Sequence, residues 1–329
     1  MLKTLSLRAL AGVLPLLVLL DGLLAPGIAG AQAYPAKTVR IIVPTAPGAG
    51  SDTQGRLLAK RFTDSMGQQF VVDNRAGASG IIGAELVVRA PADGYTLLFG
   101  SAQIPVSMLL MKKPPFDMMR DLAPVSLVAS AAQVLMVHPS VPARSVPELV
   151  GLAKKHPGKM NAGSSGNGTA NHMAIELLKL AAGISVTHIP YRSGAPSIAA
   201  LIGGETDLCF SGAVTALPHV RSGKVRGLAV TSIKRAAAAP DLPTLDSFYP
   251  GYESANWYAF FAPASTPSAV IARLHGETTA AIKAPEIRDF ITGEGADLIG
   301  SAPAELATYL RREIERYSNV IKKANIKVD

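Results

Sequence analysis

The stretch Asn161-Ala162-Gly163-Ser164-Ser165-Gly166-Asn167-Gly168-Thr169-Ala170-Asn171-His172 decides how this chain reads. A short strand-like run stops in a cluster of small residues, and a helical pattern begins directly after it. Ser164, Ser165, Asn167 and Thr169 are all good N-cap residues. Beyond Ala170, the apolar Met173, Ala174, Leu177 and Leu178 recur at helical spacing. The first turn of a helix carries unpaired N–H groups and partial positive charge, so it can hold an anion. Small residues let a ligand approach that backbone closely. An ordinary Gly-Ser loop has the same composition, so the stretch alone does not define a site.

A second segment repeats the logic. Thr38-Val39-Arg40-Ile41-Ile42-Val43-Pro44 is rich in β-branched residues and reads as a buried strand. It enters Thr45-Ala46-Pro47-Gly48-Ala49-Gly50-Ser51-Asp52, and an amphipathic helix with Leu57, Leu58 and Phe62 follows. No Gly-Lys-Ser/Thr closes the turn, so it is not a P-loop, and the complete dinucleotide fingerprint is missing. Two anion-ready turns far apart in sequence suggest two walls of one cleft.

Between and beyond them, strand and helix patterns alternate. Strands are expected at Val39–Val43, Gln69–Asp73, Tyr95–Phe99, Gln133–Val137, Val186–Ile189, Asp207–Phe210, Leu228–Thr231 and Trp257–Phe261. Helices are expected at Ser51–Met66, Ile81–Arg89, Val146–Lys155, Asn171–Ala182, Ala195–Ile202 and Ala213–Ser222. Two more, Pro267–Lys283 and Pro303–Lys322, open with proline in the first turn. This alternation predicts an α/β fold with largely parallel sheets covered on both faces. Ligands of such sheets bind beyond the carboxyl ends of strands, and two facing sheets make a cleft that closes by hinge motion. One lobe is expected at residues 34–132 plus 258–329 and the other at 133–257. The strands near Gln133–Val137 and Trp257–Phe261 would carry the crossings, and a single continuous sheet would count against this division.

The first residues read as an export signal: Lys3 and Arg8, then a mostly apolar run from Ala9 to Leu24, then Ala31-Gln32-Ala33 as a small-x-small cleavage pattern. The run is short for a membrane span and contains Asp21. Residues 1–33 are therefore expected to be cleaved after Ala33, leaving a periplasmic protein that starts at Tyr34. The formal net charge of +8 favours an anionic partner by weak long-range steering. Its basic residues are scattered and aromatics make up 5% of the chain, so no stacking platform for nucleic acid is expected. The one cysteine, Cys209, cannot form an intramolecular disulfide, and its setting Asp207-Leu208-Cys209-Phe210 reads as a buried strand.

Catalysis finds little support. The Gly-x-Ser-x-Gly elbow is absent. The histidines His138, His156, His172, His188, His219 and His275 form no His-x-x-x-His motif. His172 and Glu176 share a helix face but are only two candidate ligands. Neither an enzyme, a metal site nor a cofactor is expected, although a serine triad assembled from distant segments would leave no local signature.

With these residues assembled, the chain resembles the Bug family of extracytoplasmic solute receptors, the substrate-binding proteins of tripartite tricarboxylate transporters. The opening from Tyr34-Pro35-Ala36-Lys37 to Asp52 is similar to the family's start. Asp73-Asn74-Arg75-Ala76-Gly77 through Gly83, Ala92-Asp93-Gly94-Tyr95-Thr96 and Gly163 through His172 match further hallmarks in order. Ile189-Pro190-Tyr191-Arg192-Ser193-Gly194-Ala195-Pro196 and Gly203-Gly204-Glu205-Thr206-Asp207 complete them. The resemblance covers essentially the whole mature chain. It implies a type II periplasmic-binding-protein fold, two α/β lobes around a ligand cleft. It implies a small organic carboxylate held by backbone N–H groups, hydroxyls and water, delivered to membrane permease subunits by a monomer. A signalling receptor of the same fold, or an exported hydrolase, is the alternative. Ala49 and Ala76 depart from the family pattern, which usually has Gly and Pro there, and Ala49 adds a methyl near the expected ligand.

The candidate ligand residues follow from both readings. The first lobe offers Thr45, Ala46, Gly48, Ala49 and Asp52, with Ser101 and Gln103 after the strand Tyr95–Phe99. Asp52 either contacts ligand or complements its helix dipole. The second lobe offers Ser164, Ser165, Asn167, Gly168 and Thr169, then Tyr191, Arg192 and Gly194, then Asp207. Arg192 either pairs with a second carboxylate or is solvated. Asp207 either receives a ligand amine or bonds backbone. Trp257, the only tryptophan, either packs at the lobe junction or walls the cleft.

Overall fold

The structure, a computed structural model, describes residues 34–48, 50–324 and 326. The expected export signal at 1–33 and Ala49 of the first turn lie outside them. Among the described residues ten strands are formed: β1 Val39–Val43, β2 Phe70–Asn74, β3 Thr96–Ser101, β4 Leu122–Val137, β5 Asn161–Ser164, β6 Thr187–Pro190, β7 Leu208–Gly212, β8 Arg226–Val230, β9 Ala255–Pro263 and β10 Ala296–Leu298. The helices are α1 Gly50–Met66, α2 Ile81–Val88, α3 Gln103–Leu110, α4 Met118–Asp121, α5 Val146–Lys155, α6 Ala170–Ala182, α7 Gly194–Ile202, α8 Ala213–Arg221, α9 Ser268–Ala281, α10 Pro285–Gly293 and α11 Pro303–Ala324. The chain divides into the units Met1–Ala36 and Lys37–Asp329, and this fold is that of the second.

The strands follow the hydrogen-bonded order β2-β1-β3-β9-β4-β7-β5-β6, with β8 and β10 also on β4. The path is continuous where the sequence predicts two sheets, and β4 alone makes it so. Its residues Leu122–Ala132 pair with β9, whereas Gln133–Val137 pair with β7 and β8. Bulges between Pro124 and Ser126 and between Leu127 and Ala129 interrupt the β4–β9 register. Bulges bend a strand and increase its twist, which suits one strand to serving both ends. The parallel pairings lie outside this centre, β1 with β2 and β3, and β5 with β6 and β7. Every pairing of β4 and β9 is antiparallel, so the sheet is mixed where a largely parallel one is expected.

The core explains the composition of β4. Leu135 and Val137 pack into one cluster with Met173, Leu178 and Phe210, while Val134 and Met136 pack into another with Ile198, Leu201 and Cys209. Successive side chains of a strand point to opposite faces, so an uninterrupted apolar run is what a strand covered on both sides requires. Cys209 has no exposed surface, and burial pushes its thiol pKa up to about 12. A third cluster, with Ile42, Leu98, Trp257 and Phe261, fills the other half.

Helix α11 ties the two halves together. Its buried stripe, Leu306, Leu310, Glu313, Tyr317 and Val320, has helical spacing. Leu306 and Leu310 join the cluster around Trp257, but Tyr317 and Val320 join the one around Met173. A lobe boundary that gives all of 258–329 to the first half therefore assigns to one lobe a helix whose packing is shared by both. Glu313 is a carboxylate within an apolar stripe, 1% exposed. It accepts a hydrogen bond from Trp257 Nε1 at 3.1 Å and is paired with Arg316, which also reaches Glu253 at 3.1 Å. Trp257 is thus packed in the core, with no exposed surface.

Removing Glu313 strands the buried Trp257 Nε1 and takes one of two carboxylate partners from Arg316. Glu313→Ala is expected to lower the unfolding free energy by about 3 kcal/mol, the low end for a broken buried pair because Glu253 still holds Arg316. Urea titration read by Trp257 fluorescence measures it. A loss below about 1 kcal/mol would mean that this pair does not anchor α11.

Candidate functional site

A cavity of about 330 Å³ opens where β4 changes partners. Ala131 and Gln133 of β4 line it, with Asn256 and Tyr258 of β9 and Ala296 of β10. The remaining wall is built from helix beginnings. Gln103 is the first residue of α3, Ala170 and Asn171 open α6 behind the cap Thr169, and Val214 and Thr215 open α8 behind the cap Gly212. Gln54 of α1 and Ser165 of the loop before α6 also reach it. Several helices thus turn their positive ends toward one volume, an arrangement that favours an anion.

Neutral hydrogen-bonding groups dominate the lining. Gln133, 2% exposed, donates from Nε2 to Ala170 O at 3.1 Å and to Ser254 Oγ at 3.2 Å, which ties β4 to the start of α6. Asn171 Nδ2 donates to Phe210 O at 2.5 Å, and Ser165 Oγ donates to Asn171 Oδ1 at 3.2 Å. Asn256 Nδ2 donates to the Tyr258 hydroxyl at 2.9 Å. Burial, with a smaller push from the charge of Glu294, raises the Tyr258 pKa, so this hydroxyl keeps its proton at neutral pH.

Of the residues expected from sequence, Gln103, Ser165 and Thr169 line this cavity. The first turn is organised around its own helix. Gly48, at φ +83°, donates its N–H to Asp52 Oδ2 at 2.9 Å, and Thr45 Oγ1 lies 2.7 Å from Ser51 Oγ. Asp52 is 4% exposed and also accepts from Asn74 and Arg56. Burial alone would raise its pKa, but the Gly48 N–H, Arg56 and Asn74 together bring it below the usual value. Asp52 therefore fastens the turn to α1. Ala46 is exposed in that turn, and Ser101 ends β3 opposite Tyr258.

In the second half, Ser164 has no exposed surface and Asn167 is exposed. Thr169 Oγ1 donates to Gly166 O at 2.8 Å and accepts from His172 N at 3.4 Å, capping α6. Gly168, at φ +73°, donates its N–H to His172 Nδ1 at 3.0 Å. Tyr191 N donates to Ser164 O at 3.0 Å, Arg192 is exposed, and Gly194 begins α7. Asp207 Oδ2 accepts from Asn161 N at 2.7 Å, so its carboxylate bonds backbone. Sequence reasoning missed Gln54, Gln133, Asn171, Thr215, Asn256, Tyr258 and Glu294. The first-turn argument that found Thr169 would also have found Asn171 and Thr215; Gln133, Asn256 and Tyr258 arrive by strand crossing, Gln54 and Glu294 from α1 and the end of α10, and none of these carries a local motif.

Ser164 Oγ lies 2.6 Å from His188 Nε2, a spacing that suits a nucleophile and its base. Ser164 has no exposed surface and does not border the cavity. His188 instead stacks on His172, with ring centres 3.9 Å apart. Among the described residues, no group of three or more His, Cys, Asp or Glu side chains is placed to hold a metal ion.

The model of the tripartite tricarboxylate transporter family receptor matches residues 55–326. Protein BugT of Bordetella pertussis is 32% identical over 326 residues, covering 98% of this chain and 99% of BugT. The solved structure of Rpa4515 from R. palustris with adipate is 33% identical at a TM-score of 0.73, covering 89% of this chain and 99% of that one. The periplasmic binding protein BugD is 31% identical at a TM-score of 0.70, covering 89% of this chain and 99% of BugD. Matched in sequence over nearly its full length and matched in fold, the chain belongs to the tripartite tricarboxylate transporter receptor family, the Bug-type periplasmic solute receptors.

Proposed function

We propose that this chain captures a small organic carboxylate in the cavity beside β4 and presents it to the membrane permease of a tripartite transporter. The observation that carries the reading is the convergence of the first turns of α3, α6 and α8 on one polar cavity. Adipate in the similar Rpa4515 structure supports the ligand class. In this reading the ligand carboxylate meets the N-terminal end of α6, where Ser165, Thr169 and Asn171 supply side chains, and Gln103 faces it from α3. The protein works as a periplasmic, non-enzymatic monomer after cleavage behind Ala33. Residues 34–132 with 258–329 move as one lobe against 133–257, hinged where β4 and β9 cross between them. The shared core of α11 keeps that motion small at its end of the molecule.

A thermal-shift screen of the chain from Tyr34 against small carboxylates tests the proposal. A ligand at 100 times its dissociation constant adds about 2.7 kcal/mol, which raises Tm by a few degrees in a chain this long. A panel of mono-, di- and tricarboxylates that produces no shift in refolded protein would count against it.

Two side-chain deletions locate the site. Ser165→Ala is expected to weaken binding by about 1 kcal/mol with little effect on stability. Thr169→Ala is expected to weaken binding similarly and also to lower stability by about 1 kcal/mol, because it removes the α6 cap. Unchanged titration isotherms for both would remove this loop from the site.

The histidine pair predicts an acid response. Burial lowers the His172 pKa to about 3 and the His188 pKa to about 4. Both rings are therefore neutral in the folded protein at pH 7, and the unfolded chain takes up protons first as pH falls. Their contribution to stability is complete above about pH 6.5 and declines toward pH 4, by up to about 1.4 kcal/mol per pH unit for each ring. Because Gly168 and Ser164 bond to these rings, the loop before α6 should loosen with them. Tm measured from pH 7 to pH 4.5 should fall, and His188→Asn should flatten the fall; parallel curves would refute this.

A further inference from the structure

Glu294 sets the cavity apart from a plain carboxylate site. Among the described residues lining it, Glu294 is the one charged side chain, and its charge is negative. It sits at the C-cap of α10, its N–H bonded to Phe290 O and Thr292 O. A carboxylate is disfavoured at a helix C-terminus, so α10 gains nothing from it. The residue is exposed, and among the described residues its carboxylate has no hydrogen bond and no ion pair. Its Oε2 lies only 3.9 Å from where a side chain on Gly50, the first residue of α1, would begin. The site that sequence reasoning reserves for an anion at α1 is thus already next to the protein's own carboxylate.

Its neighbour fixes the position. Gly295 has φ +67°, and a methyl group there would meet Ala213 Cβ at 2.9 Å and Val214 N at 3.2 Å. The backbone that carries Glu294 is therefore pressed against the start of α8 and can be nothing but glycine without displacement. Two lining glutamines add to the same side of the balance. Gln54 and Gln133, 3% and 2% exposed, each keep a side-chain carbonyl oxygen without a donor. The cavity thus offers an anion the open helix ends of α6 and α8, and also holds an unpaired anion and spare acceptors of its own. A dicarboxylate would bring a second negative charge to Glu294; a ligand with a cationic nitrogen would neutralise it.

We infer that the ligand is a zwitterionic amino carboxylate, its carboxylate at the α6 end and its ammonium group at Glu294. The inference rests on the carboxylate-receptor reading above. Glu294 acts as a specificity residue, attracting an ammonium group and repelling a second carboxylate.

Calorimetric titration with matched acids tests it: glycine against acetate, alanine against propionate, 4-aminobutyrate against butyrate, glutamate against glutarate. The wild-type chain from Tyr34 should prefer the aminated member of at least one pair tenfold or more. Glu294→Gln, an exposed change, should keep its ligand-free Tm, lose about tenfold for that amino acid, and bind the unaminated partner equally or more tightly. Tight binding of the unaminated acids with no effect of Glu294→Gln would overturn the ammonium subsite and leave the carboxylate receptor standing. Binding of neither kind, extended to tricarboxylates, would overturn both.

Discussion

The fold depends on one strand that belongs to two neighbourhoods. Over eleven residues β4 is a partner of β9, and over the next five it is a partner of β7 and β8. No other strand in the path makes such a change of company. The consequence is a gap where the partners diverge, because β9 leaves the ladder at Ala255 just as β7 arrives at Gly212. Gln133, the first residue past the change, stitches the gap to α6 and to Ser254. The cavity is thus a product of the topology, and the helices that begin beside it were bound to point their first turns inward.

Electrostatics then decides what such a gap holds. Backbone N–H groups at helix starts offer partial charge without the desolvation cost of a buried arginine. Asp52, two residues before the lining Gln54, is held by Gly48, Asn74 and Arg56, while Asp207, at the end of β7 away from the cavity, is held by Asn161 N. Both carboxylates fasten local backbone. Glu294 stands apart because nothing fastens it.

The sequence carried local structure well and tertiary structure poorly. Val39–Val43 and Val146–Lys155 have the expected bounds because β-branching in one and a Ser145 cap with an early proline in the other act within a few residues. The first half of β4 reads as Leu-Ala-Pro-Val-Ser-Leu-Val-Ala-Ser-Ala, too rich in Ala and Ser to show strand propensity, and pairing with β9 supplies what propensity lacks. Strand β10, three residues long, exists only through β4. The same division holds at the site. Ser165 and Thr169 were legible because a cap and its loop are local; Asn256, Tyr258 and Glu294 were not, since they come together only when β9, α10 and β10 reach β4. Asp52 and Asp207 show the other limit. Their residue type allows two roles, and what the fold adds is their partners within the protein: Gly48, Arg56 and Asn74 for Asp52, and Asn161 N for Asp207.

The sealed position of Cys209 bears on how the protein matures. With its thiol in the middle of the sheet and held protonated, the folded chain offers no accessible thiol to oxidants or to thiol–disulfide exchange. Folding therefore needs no oxidase or isomerase. The unfolded chain, by contrast, exposes a single sulfur that can be joined only to another molecule. In an oxidising compartment, the folding that buries Cys209 competes with the joining of its still-exposed sulfur to another thiol.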